Sequence, residues 1–161
     1  MKKILEAGRL APSGSNPQPW RFIVVRDEKK KKQLSAAASN LKSLADASVV
    51  IVALGDPHNS MLREKLRFFA KGFFSRRIFH MQDPMIAVEH MVLASTALGY
   101  GACWIGSFRQ PKIKKVLGIP NALTVVALVP VGVPDENPDA QPRKAFTELF
   151  FEDNYGFPLK L

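Results

Sequence analysis

The chain has 161 residues, a net charge of +9 at pH 7, and 47% hydrophobic residues. Its length and composition fit one globular domain with a buried core. They argue against a membrane-spanning helix, because no run of about 20 apolar residues is present. A single cysteine excludes an intramolecular disulfide, and the N-terminus lacks the apolar segment of a secretory signal. We therefore predict a cytoplasmic protein with no membrane partner.

The positive charge is compatible with an anionic partner or with a solvated basic surface. Lys29–Lys32 opens a predicted helix, so these lysines are expected to be exposed. Residues 61–80 are also strongly basic, and a helix there could line an entrance for anionic substrates. The chain has no nucleic-acid-binding motif and no array of stacking aromatic residues. We expect no nucleic-acid partner.

The first predicted elements are a helix over residues 2–11, which ends at Pro12, and a short strand over 21–25. Between them, residues 11–20 contain three prolines together with serine, glycine, asparagine and glutamine. Proline restricts its own backbone and that of the preceding residue, so this segment is predicted to be a stiff, irregular loop. Polar loops at such junctions commonly build ligand sites.

The next predicted elements are a helix over 28–39, a short helix or turn over 41–46, and a strand over 47–54. The strand is mostly apolar and rich in β-branched residues, which is typical of a strand buried on both faces. Residues 60–79 are predicted to form a helix with leucines and phenylalanines on its apolar side.

The most regular helical pattern covers residues 84–98. Asp83 is a suitable N-cap, Pro84 suits the first helical position, and Gly99 suits the left-handed residue that follows a helix. The segment is apolar on nearly all sides, so nearly all of its surface should be buried. In a chain of this size, a second copy covering one side is the simplest arrangement. The pattern therefore indicates a homodimer.

The last part of the chain is predicted to contain strands over 102–105 and 123–131, on either side of a basic helix over 111–117. Residues 134–143 contain three prolines and are predicted to be an extended arm that reaches a neighbouring chain. A short helix over 144–152 follows.

Two other features have simpler interpretations than a functional site. Gly99-x-Gly101 follows a helix and precedes a strand, whereas a dinucleotide-binding glycine motif follows a strand and opens a helix. Cys103 has no evident base nearby and is interpreted as a small buried residue rather than a redox thiol. The histidines lack metal-ligand spacing, so no metal site is predicted.

Three segments of the sequence resemble signature segments of the nitroreductase family of flavin enzymes. The first is Pro12–Trp20, PSGSNPQPW, and the second is Leu98–Gly106, LGYGACWIG. The third combines Pro142–Lys144 with Leu149 and the closing Asn154–Gly156. They occur in the family's order with similar spacing, and the resemblance extends over nearly the whole chain.

One family segment has no match in this sequence. It is an Arg-Arg-Ser-x-Arg stretch that precedes the first signature segment and grips the flavin phosphate and ribityl chain. Three explanations remain open: a truncated sequence, a natural short member with weakened flavin binding, or a replacement clamp from elsewhere in the chain, such as the basic residues 61–80.

The resemblance implies a single α+β domain over residues 1–161, with a mixed central β-sheet flanked by helices, in an intertwined homodimer. Residues 134–161 would form a C-terminal arm that packs on the partner subunit. It implies an FMN-dependent oxidoreductase that uses NADH or NADPH to reduce nitro compounds or quinones, with hydride passing through the flavin in two half-reactions. No catalytic side chain is expected, since the flavin carries the chemistry. The alternative is a degenerate, non-enzymatic homodimer that binds flavin or nucleotide.

The resemblance also implies which residues hold the cofactor. Residues 12–16 are expected to contact an FMN held mainly by the other subunit, and residues 104–106 to line the face or edge of the flavin. Arg143 would bind the FMN phosphate with help from Lys144, since arginine forms parallel hydrogen bonds to phosphate. Residues 18–20 are expected to anchor the loop in the core. The predicted cofactor site is Pro12, Ser13, Gly14, Ser15, Asn16, Trp104, Ile105, Gly106, Arg143 and Lys144.

Overall fold

The structure of the protein, a computed structural model, describes residues 1–58 and 79–160. In chain order these residues form α1 (Lys2–Arg9), β1 (Trp20–Val25), α2 (Glu28–Ala37), α3 (Lys42–Asp46), β2 (Val49–Gly55), α4 (Phe79–Ala97), β3 (Gly101–Ala102), α5 (Gln110–Leu117), β4 (Thr124–Gly132) and α6 (Phe146–Leu149). Apart from Phe79, the helix predicted over 60–79 lies outside the described residues. In the described ranges, no helix has both the length and the apolarity that a membrane span needs.

The strands of the described residues form one sheet in the order β1-β2-β4-β3, and each of the three pairings is antiparallel. The predicted α+β class, with a central sheet flanked by helices, is confirmed. The predicted mixture of strand directions is not found in this part of the chain. The sequence gives no signal for strand direction here, because the connection from β1 to β2 is long enough for a parallel crossover or an antiparallel return.

Helices cover both faces of the sheet. α1 and α4 pack on the face that carries Ile51 and Val129, and α2, α3 and α5 pack on the face that carries Val52 and Leu128. All seven residues of β2 are buried, which confirms the prediction of a strand enclosed on both sides. The core therefore consists of two apolar layers, one on each side of the sheet.

Local signals explain several helix ends. α2 begins at Asp27, whose Oδ1 accepts a hydrogen bond from the Lys30 N–H at 2.8 Å. α5 ends at Gly118, which has a φ of 66°. The left-handed conformation predicted for Gly99, after α4, is confirmed by its φ of 80°.

The predicted start of α4 is wrong. The helix already includes Phe79, so Pro84 lies inside it and Asp83 is not its N-cap. A proline inside a helix cannot donate to the carbonyl four residues earlier, here that of His80. That carbonyl lies against Gly55 at the end of β2, where an added Cβ would come within 1.9 Å of the His80 oxygen. The helix thus packs its first described turn directly on the β2 backbone.

The strand predicted over 102–105 is interrupted. β3 pairs Ala102 with Val131, and in the same register Ile105 forms a separate bridge with Leu128. Cys103 therefore stands opposite Pro130, which has no N–H to complete the ladder. Residues 103 and 104 leave the ladder at this point.

One lysine of the basic run is buried, contrary to the prediction that Lys29–Lys32 is exposed. Lys31 is 2% exposed, whereas the other three lysines are exposed. Its Nζ donates to the Ala47 carbonyl and forms an ion pair of 2.8 Å with Glu28. The side chain links α2 to the segment that leads into β2.

The C-terminal part has less helix than predicted. α6 covers only Phe146–Leu149, because Phe150 is extended and the chain then turns back, so that Phe151 pairs with Pro158. Residues 133–150 are exposed, and 133–145 contain no helix or strand. The segment has the predicted form of an extended arm, and its packing on a partner subunit stays a prediction.

Candidate functional site

The loop between α1 and β1 has an unusual backbone. Three of its non-glycine residues have positive φ angles: 66° at Ser15, 60° at Asn16 and 50° at Gln18. Such conformations are uncommon for non-glycine residues, although asparagine tolerates them, and at Ser15 and Gln18 they indicate that surrounding contacts hold the backbone. Within the predicted site, Pro12, Gly14, Ser15 and Asn16 are exposed and Ser13 is half-buried.

Hydrogen bonds within the loop maintain this shape. The Asn16 N–H donates to the Ser13 carbonyl at 2.9 Å, and the Gln18 N–H donates to the Ser13 Oγ at 3.1 Å. The Gln18 Nε2 donates to the Asn16 Oδ1 at 2.9 Å. The Asn16 Nδ2 makes no hydrogen bond with residues that the structure describes, so the loop presents an amide donor at its surface.

The C-terminal end of the loop is fixed in the core. The Pro19 carbonyl accepts a hydrogen bond of 2.7 Å from the Asp56 N–H, and the buried Trp20 packs with Ala11 and with Ala87 of α4. The prediction that residues 18–20 anchor the loop is confirmed for Pro19 and Trp20. It is wrong for Gln18, whose side chain is exposed and bonds within the loop.

Asp83 contacts the middle of the loop from α4. The Gly14 N–H donates to its Oδ2 at 3.3 Å, and the residue is 4% exposed. Burial raises the pKa of Asp83, and the hydrogen bond from Gly14 lowers this pKa in part. Sequence reasoning missed this contact because it assigned Asp83 to a helix cap.

The second predicted segment lies beside β4. Ile105 is buried and exchanges two backbone hydrogen bonds of 3.0 Å with Leu128. The Trp104 indole N–H donates to the Glu89 Oε2 of α4 at 2.9 Å. Gly106 is exposed, and a Cβ added there would meet nothing within 4 Å. Room for a ligand or another chain therefore exists beside Gly106.

Two findings here differ from the sequence analysis. Cys103 is exposed rather than buried. Glu89 was not predicted to have any role, although it orients the Trp104 ring. Asp83 and Glu89 are the two acidic residues of α4, and acidic residues in an otherwise apolar helix are the signal that could have drawn attention to both.

Within one chain, the two segments lie at opposite edges of the sheet. The loop enters β1, which is one edge, and residues 104–106 follow β3, which is the other. Three strand spacings separate these edges, roughly 14 Å. Residues 12–16 and 104–106 of one chain therefore do not lie side by side on the sheet, although α4 contacts both segments, through Asp83 and Glu89.

Arg143 and Lys144 are exposed in the C-terminal arm. The Arg143 Nη1 donates to the carbonyls of Gln141 and Pro142 at 3.1 and 3.3 Å. Over the described residues, no hydrogen bond joins either cation to the loop or to residues 104–106.

A groove of about 310 Å³ lies at the other end of the sheet from the loop. Its walls include Ile4, Val49 and Val131, with Arg26 and Ser48 at its polar side. None of the predicted cofactor residues lines it, so it is separate from the candidate site.

Comparison with known proteins identifies clear relatives. A model of the nitroreductase family matches residues 1–133. A protein of Archaeoglobus fulgidus with the provisional name NADH dehydrogenase/NAD(P)H nitroreductase is 36% identical over 143 residues, which are 86% of this chain and 75% of the relative. A nitroreductase family protein of Clostridium novyi has a solved structure with 34% identity and a TM-score of 0.70, matched over 98% of this chain and 82% of that one.

The fold extends to more distant structures. NfrA1 of B. megaterium superposes with a TM-score of 0.83 at 24% identity, over 96% of this chain. This likeness shows the fold alone. The chain spans 65% of the NfrA1 chain and about three quarters of the Archaeoglobus relative.

Proposed function

Because the chain belongs to the nitroreductase family, we propose that it is an FMN-dependent oxidoreductase that takes electrons from NADH or NADPH and reduces nitro compounds or quinones. The observation that carries this proposal is the loop over residues 12–16. It lies in the matched region, it is held in a strained conformation, and it exposes polar groups. Strained backbone conformations cluster at ligand sites, so we infer that this loop binds a cofactor.

The residues present fit a flavin. A flavin ring carries carbonyl oxygens and ring nitrogens along one edge, and Asn16 has an outward amide donor of the kind these atoms accept. Gly106 leaves open space that a side chain would fill. When bound, the flavin would supply the electron-transfer chemistry, while the protein binds and orients it.

A site shared between two subunits accounts for the separation of the two segments. We place residues 12–16 of one subunit and residues 104–106 of the other on the same cofactor, with two such sites in an intertwined homodimer. The exposed side of α4 supports an interface: Leu93 is 60% exposed, and Met85 and Ile86 are exposed on the same side. Exposed apolar surfaces of this kind mark association sites.

The C-terminal arm is proposed to complete the site. Its exposed aromatic residues, Tyr155 and Phe157, are unusual for a free surface, and they suit an arm that packs on a partner. Packing of this kind would bring Arg143, and Lys144 beside it, near the phosphate of a cofactor in the dimer. Both cations are exposed and close to the aromatic residues in sequence.

Flavin titration of the purified protein tests the proposal. We expect binding of FMN to quench flavin fluorescence, and the loaded protein to oxidise NADH or NADPH when a nitroaromatic compound or a quinone is present. Bound FMN without turnover would instead favour a non-enzymatic flavin-binding homodimer. A protein that neither binds FMN nor gains thermal stability from it would contradict both.

A further inference from the structure

We propose that Asp83 is a positioning residue: by accepting the Gly14 N–H, it holds residues 13–16 in the conformation that receives the flavin. This inference rests on the proposed function and deepens it. Asp83 is not expected to touch the cofactor, because it is 4% exposed and contacts the loop from the buried side of α4.

The position of Asp83 suits this role. α4 contacts the loop at two points one helical turn apart, since Asp83 bonds to Gly14 and Ala87 packs with Trp20 and Ala11. One rigid helix therefore fixes both the middle of the loop and the start of the strand that follows it. In the described part of the chain, the Gly14 N–H is the one hydrogen-bond donor to the Asp83 carboxyl.

The loop needs such an external contact. The other hydrogen bonds described for residues 13–16 lie within the loop, between Ser13, Asn16 and Gln18, apart from those that Ser15 makes. Ser15 and Asn16 have left-handed backbones that cost free energy. Without Asp83, we expect residues 13–16 to sample other conformations, so that ordering them would weaken flavin binding.

A purely structural role does not explain the carboxyl group. Burial disfavours its ionised form, and burial of a charge with one long hydrogen bond reduces stability. A neutral acceptor of the same shape would suit the fold better. At the same distance, however, an ionised acceptor holds a backbone N–H more strongly than a neutral one, which suits a residue that must hold the loop.

The test compares two variants of the full chain with the wild type. Asp83→Asn keeps an acceptor oxygen without charge, and Asp83→Ala removes the acceptor. Asp46→Asn, an exposed carboxyl on the other side of the sheet, is the matched control. FMN affinity is measured by fluorescence titration, and the mobility of residues 13–16 without flavin is measured by amide hydrogen exchange.

We expect FMN affinity to fall roughly tenfold in Asp83→Ala and less in Asp83→Asn, which corresponds to one hydrogen bond to a charged group. Amides of residues 13–16 should exchange faster in Asp83→Ala, and the melting temperature of Asp83→Asn should not fall. A merely structural residue would instead lower the melting temperature in both variants and leave the affinity of the folded protein unchanged.

The outcomes separate this inference from the function on which it rests. Wild-type binding of FMN with unchanged affinity in Asp83→Ala overturns the inference alone. Faster exchange of the loop without loss of affinity also overturns it, because the loop would then not need to be ordered for the flavin. A wild-type protein that binds no FMN overturns the proposed function, and the inference with it.

Discussion

At the scale of single residues, Arg143 carries the proposed contact with the cofactor phosphate. Its guanidinium is exposed, and its described hydrogen bonds are to carbonyls of its own arm, so it is available to an anion. We expect Arg143→Ala to weaken FMN binding roughly tenfold, the value for one charge-assisted hydrogen bond. Arg26→Ala, an exposed arginine in the groove at the other end of the sheet, is the control. Equal affinities for both variants would count against the phosphate role.

Asp83 is also expected to make stability depend on pH. Burial raises its pKa in the folded chain, with partial compensation from the Gly14 hydrogen bond. As the pH rises from about 4, the unfolded chain therefore ionises first, and the free energy of unfolding contributed by this group falls. Asp83→Asn lacks this titration, so its stability relative to the wild type should rise as the pH increases from about 4, the ordinary pKa of an aspartate. Thermal unfolding of both proteins as a function of pH measures this change in relative stability. A stability difference that does not vary with pH would refute the prediction.

The burial of Lys31 could have been predicted from helical periodicity, although it belongs to a run of four lysines. Four adjacent lysines were interpreted as one solvated face, yet a helix turns by 100° per residue and presents only part of such a run to solvent. Lys31 lies three residues before Leu34 and four before Ser35, both buried. Helical periodicity therefore places it on the core side. Asp83 offered no comparable signal for its partner, because its contact with Gly14 joins distant parts of the chain.

At the scale of elements, Lys31 anchors α2 to the start of β2. It is nearly inaccessible, and its ammonium group bonds to the Ala47 carbonyl. We expect Lys31→Met to lower the free energy of unfolding by about 1–3 kcal/mol, because the methionine leaves that carbonyl without its donor. Lys30→Met, on the exposed side of the same helix, should change it little. Chemical denaturation of both variants measures the difference, and equal effects would argue against the anchor.

The close contact between α4 and the end of β2 gives a second prediction at this scale. A Cβ on Gly55 would lie 1.9 Å from the His80 carbonyl oxygen, whereas a Cβ on Gly106 would meet nothing within 4 Å. Gly55→Ala must therefore push the helix and strand apart, and should cost about 1–3 kcal/mol or more of stability. Gly106→Ala should leave the stability unchanged. Comparable melting temperatures for the two variants would contradict this packing.

Element boundaries could be predicted where the signals are local. Gly99 follows α4 with a left-handed backbone because glycine allows that geometry. The helix predicted to run to Pro12 ends earlier, at Arg9. The start of α4 was missed because Pro84 also fits the first turn of a helix, and only the packing decides between the two positions. The break in β3 was missed because it depends on Pro130 in the neighbouring strand. Both features depend on contacts between distant segments, which local sequence signals do not report.

At the scale of the whole molecule, the sequence indicated the two segments of the candidate site and a site shared between subunits, but not where the segments lie in the sheet. Sequence motifs identified residues 12–16 and 104–106, whereas their positions at opposite edges of the sheet emerged from the strand order. Strand order depends on long-range pairing, which composition and periodicity do not record. In the proposed dimer, a second subunit bridges this separation.

The proposed dimer leads to a prediction about assembly. Leu93 is 60% exposed on the outer side of α4, and in the proposed dimer it is buried against the partner. We expect Leu93→Glu to give a monomer, because a buried charge without a partner is strongly unfavourable. The same variant should lose FMN binding, since each site needs both subunits. Leu41→Glu, a partly exposed leucine on the opposite side of the sheet, is the matched control and should stay dimeric. Sedimentation and flavin titration of the same samples measure both effects, and a Leu93→Glu monomer that still binds FMN with full affinity would show that one chain suffices.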